Sequence, residues 1–208
     1  LQEYVLDATD SFSVEDAFIF YNEARLFFSH GDRMADLLKL AQLVESLDLS
    51  EEEDREKRDT FLGSFYNKDT LISALRTIGP EQEELPDGFV EVVEKASDNP
   101  LDLTLEILEK AQGRRQRQIG VLLAANYGDA DTEGLISKAL AATGTLAQDL
   151  VRVIGRVDGT KLMFFAERCL KNPDADLMLA ILEESGSVGE ELDPVRLQSL
   201  RSEYPQVR

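Results

Sequence analysis

Apolar positions recur at helical rather than strand spacing through most of the chain. Leu37, Leu38, Ala41, Val44 and Leu47 fall at intervals near 3.6 residues, which predicts a half-buried helix over 34–47. Ahead of it, Ser13 with Asp16 predicts a helix start, because a hydroxyl accepts the free amides of a first turn. That helix runs to about Ser29 and places Phe18, Tyr21, Leu26 and Phe28 partly on one face, with His30-Gly31-Asp32 as its stop and the next start. Ser50 followed by Glu51, Glu52 and Glu53 has the form of a capping box, and these acids oppose the positive end of the helix dipole. The helix it predicts, over 51–65, is charged first and apolar only at its end, so much of it faces water. Leu71, Ile72, Leu75 and Ile78 mark a short helix closed by Gly79-Pro80. The run 81–88, flanked by Pro80 and containing Pro86, reads as an exposed loop, since both prolines lack a donor and interrupt a helix.

From Phe89 the rhythm is regular, with helices predicted near 89–97, 101–112, 115–127, 131–142, 145–157, 160–171 and 175–185, and a last one near 194–203 started by Asp193-Pro194. Gly113, Gly128, Gly144, Gly159 and Gly186 fall at or near successive helix ends, where the chain is expected to take a left-handed conformation that costs glycine little. Short joints make neighbouring helices antiparallel. The chain also repeats itself. Thr104-Leu-Glu-Ile-Leu-Glu-Lys-Ala111 lines up with Met178-Leu-Ala-Ile-Leu-Glu-Glu-Ser185, and the pairs Asn99-Pro100 and Asn172-Pro173 precede them. Residues 119–128 match 150–159 at an offset of 31, and 177–186 follow at 27. A period of about 30 filled with helices predicts an all-α chain of stacked units, each burying its apolar face against its neighbours.

Over residues 149–177, a helix ends in a glycine turn at Gly159, a second helix follows, and an Asn172-Pro173-Asp174 turn leads to the next. This order resembles the HEAT and HEAT-like repeats, well over about 99–186 and weakly before residue 80. The resemblance implies an α-solenoid, a right-handed superhelix of antiparallel helix pairs with a concave face for partners, and it implies no chemistry. The pattern departs from the family at Asp174-Ala175-Asp176, where a basic residue is commoner inside the next helix, and at Gly120 and Gly155, which sit within helical stretches. Each such glycine costs about 1 kcal/mol against alanine, so close helix contact is one reading of them and less regular repeats another. The resulting organisation is a helical segment over 1–80 of degenerate repeats or a cap, a loop over 81–88, and a HEAT-like array over 89–208 with a terminal cap helix.

Composition narrows the function classes. The 208 residues carry a formal net charge of −19, which repels phosphate backbones and anionic lipid and so disfavours a nucleic-acid or membrane partner. No apolar run approaches about 20 residues, so no membrane span is expected. The single cysteine, Cys169, excludes an internal disulfide framework and fits a cytoplasmic setting. The chain opens at Leu1 without Met or a secretory leader, which reads as a piece cut from a longer protein or as a trimmed chain; the expected setting is a cytoplasmic, bacterial protein.

Catalytic chemistry has little to work with. His30 is the one histidine, so neither a metal set nor a nucleophile and base pair with Cys169 assembles readily; no metal or cofactor is expected. Carboxylates at 51–54, 83–84, 183–184 and 190–191 lie in charge runs on solvated faces. The distinctive feature is a basic cluster in an acidic chain: Lys110, Arg114, Arg115 and Arg117, followed one unit later by Arg152 and Arg156. One reading pairs these with Glu106, Glu109 and Asp149; the other makes them a stripe that captures an acidic or phosphorylated segment. The leading expectation is a non-enzymatic scaffold binding a partner protein or peptide along one face. The alternatives are a regulatory helical domain of a larger signalling or catalytic protein, and an enzyme of the HEAT-like group such as a bilin lyase. A helical-repeat DNA glycosylase fits poorly, because the chain is acidic and has no tryptophan. Oligomeric state is not legible.

Overall fold

The computed structural model describes residues 13–79, 82–171 and 174–185, and every regular element among them is helical. The expected lead-in, the Asn172-Pro173 pair, Gly186 and the last helix near 194–203 lie outside the described residues. The chain divides into two compact units, 1–119 and 120–208.

The first unit holds α1 (Val14–Phe28), α2 (Met34–Glu45), α3 (Glu52–Gly63), α4 (Lys68–Arg76), α5 (Phe89–Ala96) and α6 (Pro100–Lys110), and the division falls within α7 (Gly113–Ala125). Side chains set several of the starts. Ser13 Oγ accepts from Asp16 N at 3.2 Å, Asn67 Oδ1 from Thr70 N at 2.9 Å, and Asn99 Oδ1 from Asp102 N at 3.4 Å with Pro100 at the first helical turn. The predicted capping box does not form: Ser50 lies one residue too early, Glu51 occupies the extended cap position, and no side chain bonds the first turn. With Glu52, Glu53 and Asp54 in that turn and exposed amides open to water, the helix does not require one.

The middle of this unit is α2, whose Met34, Leu37, Leu40, Ala41 and Val44 are fully buried. It packs against α1, α3 and α5, while α6 packs against α4 and α5. Edge-on rings tie α1 to α3, with Phe18 5.5 Å from Phe61 and Phe61 5.1 Å from Phe65 between centroids. Leu26, expected beside Tyr21 and Phe28, is instead half exposed. Five residues of helix turn it away from Tyr21 by about 140°, measured the short way round. The loop after α4 is exposed at Glu83 and Glu84 but buried at Pro86. Gly88 explains that seat. Its φ is +89°, and a Cβ there would lie 2.8 Å from Ala35 N and 2.9 Å from the Met34 carbonyl carbon, so glycine alone lets the loop close onto the start of α2.

The second unit holds the rest of α7, then α8 (Thr132–Ala141), α9 (Gly144–Val157), α10 (Met163–Lys171) and α11 (Ala175–Glu184). The segments matched in sequence have matching local structure: α7 runs into a 3₁₀ turn at Gly128–Asp131 and then α8, and α9 runs into a 3₁₀ turn at Gly159–Leu162 and then α10. Aspartates anchor the turns, Asp131 Oδ1 accepting from Gly134 N at 2.8 Å and Asp158 Oδ1 from Thr160 N at 3.0 Å. Asp174 starts α11 in the same way, accepting from Leu177 N at 3.0 Å. Val151, Val153 and Ile154 are fully buried, and α9 packs on α8 before it and on α11 two helices on. Of the joint glycines, Gly113 and Gly144 have positive φ, yet each opens a helix where closure of the preceding one was expected; Gly128 and Gly159 do not adopt the expected left-handed conformation and instead open the 3₁₀ turns.

Candidate interaction surfaces

The basic residues singled out in sequence meet two different fates. In the second unit, Arg152 lies between two carboxylates: its Nη1 donates to Asp149 Oδ1 at 3.2 Å, and its Nε and Nη2 donate to Glu183 Oε2 at 3.0 and 2.8 Å. Arg156 Nε lies 3.4 Å from Glu184 Oε1. Gly155 between them is buried, and a Cβ at that position would come within 2.7 Å of Glu184 Cβ. The missing side chain brings α9 and α11 close enough for both arginines to reach across. Asp149 is buried, so Arg152 supplies charge that this carboxylate has lost from water. Burial raises the Glu184 carboxyl above its ordinary pKa, and the neighbouring Arg156 and Arg152 only partly offset that. Both guanidinium groups are thus engaged in holding α9 to α11.

In the first unit the pairing expected at Glu106 goes elsewhere, to Lys68 Nζ at 2.8 Å. Lys110 and Arg114, either side of the α6–α7 joint, are exposed, and neither makes a salt bridge to another described residue. Arg115 Nη1 donates to Gln118 Oε1 at 3.0 Å, and Arg115 and Arg117 are half-buried. His30 is exposed, and its carbonyl accepts from Arg33 N at 2.9 Å. Cys169 falls where no side chain is described. Among the described residues no group of three or more His, Cys, Asp or Glu is placed to hold a metal ion, and no helix is long and apolar enough to cross a membrane.

The surface that sequence reasoning missed is on α1. This helix is apolar on two sides. Ala17, Tyr21 and Phe28 are buried, whereas Ile19 is 64% exposed, Phe20 46%, Leu26 50% and Phe27 59%. At about 100° per residue these four side chains and Glu23 fall within an arc of about 120° opposite the buried one. The triplets Phe18-Ile19-Phe20 and Leu26-Phe27-Phe28 carry the signal, since three successive apolar residues cannot share one helical face. At its far end Arg33 lies 4.7 Å from the centroids of both Phe27 and Phe28 and is itself bonded to Asp36 Oδ2 at 3.2 Å.

No family model matches the chain, and no curated protein or solved structure does either.

Proposed function

We propose that the chain is a non-enzymatic interaction module, a HEAT-like array of antiparallel helix pairs that binds a partner protein. The repeated order of helix, 3₁₀ turn and helix, and the packing of α9 on both α8 and α11, support the array reading. The single observation that carries the binding reading is the outer face of α1, where Ile19, Phe20, Leu26 and Phe27 leave large apolar area in water along one helix. Isolated exposed apolar side chains are ordinary, but four on one stripe mark an interface.

Magnitudes favour this face over the basic joint. Covering apolar surface yields about 25 cal/mol per Å², or about 1.5–3 kcal/mol for a large side chain, whereas an exposed cation paired with a partner carboxylate yields about 0–1 kcal/mol. Lys110 and Arg114 therefore belong at a rim or a weaker second contact for an acidic or phosphorylated segment. The test compares capture of partners from a lysate of the source organism by the full chain, by Ile19→Ser/Phe27→Ser and by Lys110→Ala/Arg114→Ala. Loss of a specific partner in the first variant only is the expected result. Loss in the second variant only would move the interface to the α6–α7 joint, and capture unchanged in both would remove the reading.

A further inference from the structure

The charges around the apolar face of α1 define what chemistry can cover it. Glu23 lies in the middle of the exposed arc, one turn from Ile19 and Phe20 on one side and from Leu26 and Phe27 on the other. Glu15 and Asp16 are exposed at the amino-terminal end of the helix. The one cation within α1, Arg25, is half-buried and engaged: its Nε and Nη2 donate to Asn22 Oδ1 at 3.3 and 3.1 Å, and its Nη1 to Ser64 O at 3.4 Å. Nearby Lys57 is held by Glu53 on α3 at 3.0 Å, and Arg33 by Asp36. The fully exposed charged side chains of α1, Glu15, Asp16 and Glu23, are thus all carboxylates, and its one cation is half-buried and bonded within the unit.

We propose that this face takes an amphipathic helix of a basic partner, with two apolar pairs about seven residues apart straddling a lysine or arginine that meets Glu23. The proposal rests on the interaction-module reading above and adds the partner's chemistry. Apolar pairs at 19–20 and 26–27 are two helical turns apart, about 10.5 Å along the axis, which is the repeat of a partner helix laid along α1. A carboxylate sealed between them without a counter-charge would oppose binding, and a cation there converts that penalty into selectivity. A second copy of this chain fits less well, because a two-fold pairing centred on the face sets Glu23 against Glu23. Lipid fits less well too, since acidic residues along the stripe are repelled by anionic headgroups and Glu23 would enter the apolar layer.

The experiment selects binders to the full chain from a displayed library of amphipathic helices of about 18 residues, with apolar pairs fixed seven apart and the other positions randomised. Clones recovered on the native chain should carry Lys or Arg between the pairs, those recovered on Glu23→Lys should carry Asp or Glu, and Ile19→Ser/Phe27→Ser should recover none above background. For a chosen lysine clone, Glu23→Lys should weaken binding at least tenfold in fluorescence anisotropy while circular dichroism stays unchanged. Absence of charge enrichment, or enrichment that ignores Glu23→Lys, overturns the proposal. So does a concentration-dependent dimer in sedimentation velocity that Ile19→Ser/Phe27→Ser abolishes, or binding to phosphatidylcholine/phosphatidylglycerol vesicles that the same variant abolishes. The two readings fail separately: lysate capture that depends on Ile19 and Phe27 but is indifferent to the sign at residue 23 removes the basic helix and leaves the module.

Discussion

Helices α1 and α9 carry similar ingredients, a broad set of apolar side chains and a few charges, and dispose of them in opposite ways. In α9 the apolar residues are covered by α8 and α11, and both arginines are bonded to carboxylates of the same unit. In α1 one apolar face is covered by its own unit, and a second stands in water beside exposed carboxylates, while the helix's one cation, Arg25, is bonded to Asn22 and Ser64. A helix whose charges and apolar area are consumed internally serves cohesion; one with a surplus of both has something left for a partner. Conspicuous charge in sequence does not distinguish the two cases. The difference lies in whether a neighbouring element of the fold supplies the complement.

The sharpest way to break this comparison is to truncate adjacent phenylalanines on α1. Phe28→Ala should destabilise the protein by about 3–5 kcal/mol, since Phe28 is 3% exposed and its loss leaves a cavity. Phe27→Ala should change stability by no more than about 1 kcal/mol, most of it the contact with Arg33, and should act on partner binding instead. Urea denaturation of the two variants decides; equal losses would mean that the outer face of α1 is part of the core.

On the α9 side, Arg152→Ala should cost about 2 kcal/mol in the same assay. Removing one member of a buried ion pair leaves the other poorly solvated, and Arg152 is partly exposed, which reduces the effect from its fully buried value. A loss near zero would show that Asp149 is satisfied without it and that the pair belongs to the surface. Glycines extend the contrast at a smaller scale. Gly155→Ala improves helix propensity by about 1 kcal/mol but drives a Cβ against Glu184 Cβ, and overpacking of about 1–3 kcal/mol should leave a net loss of about 1 kcal/mol. Gly63→Ala, at the end of α3 with nothing within 4 Å of the new Cβ, should instead stabilise by about 0.5–1 kcal/mol. Thermal melts of the pair read the two signs directly.

How far the sequence could be read follows from the range of the forces involved. Helix α2 was legible because its Leu37, Leu38, Ala41 and Val44 stripe is a local periodicity, and the start at Ser13 because a cap and its amide lie three residues apart. The recurrence of helix, glycine turn and helix was legible for the same reason. The partners of Arg152 and Arg156 were only half so: Asp149 lies one turn away, but Glu183 and Glu184 are brought in by packing of a helix two elements on, through the space Gly155 vacates. On α1 the failure was one of emphasis. Periodicity finds one apolar face and stops, and the surplus on the other side shows only once Ala17, Tyr21 and Phe28 are seen to be buried without it.

The smallest expected effect concerns Glu184, where the α9–α11 contact should report itself as a pH dependence. Burial favours the neutral carboxyl more than Arg156 and Arg152 favour the charged one, so the folded chain holds this proton at pH values where the unfolded chain has released it. In that window unfolding releases the proton. The contribution of Glu184 to stability is therefore complete below the ordinary glutamate pKa and declines as pH rises through the higher folded value. Glu184→Gln cannot titrate, so the stability of the native chain relative to this variant should fall as pH climbs from below to above that window, by less than either variant of α9 described above. Urea midpoints of both proteins across that range isolate the term, because the other carboxylates contribute equally to each. A difference that rises with pH would mean that the arginines outweigh desolvation, and that α9 and α11 meet in a wetter contact than the spacing at Gly155 requires.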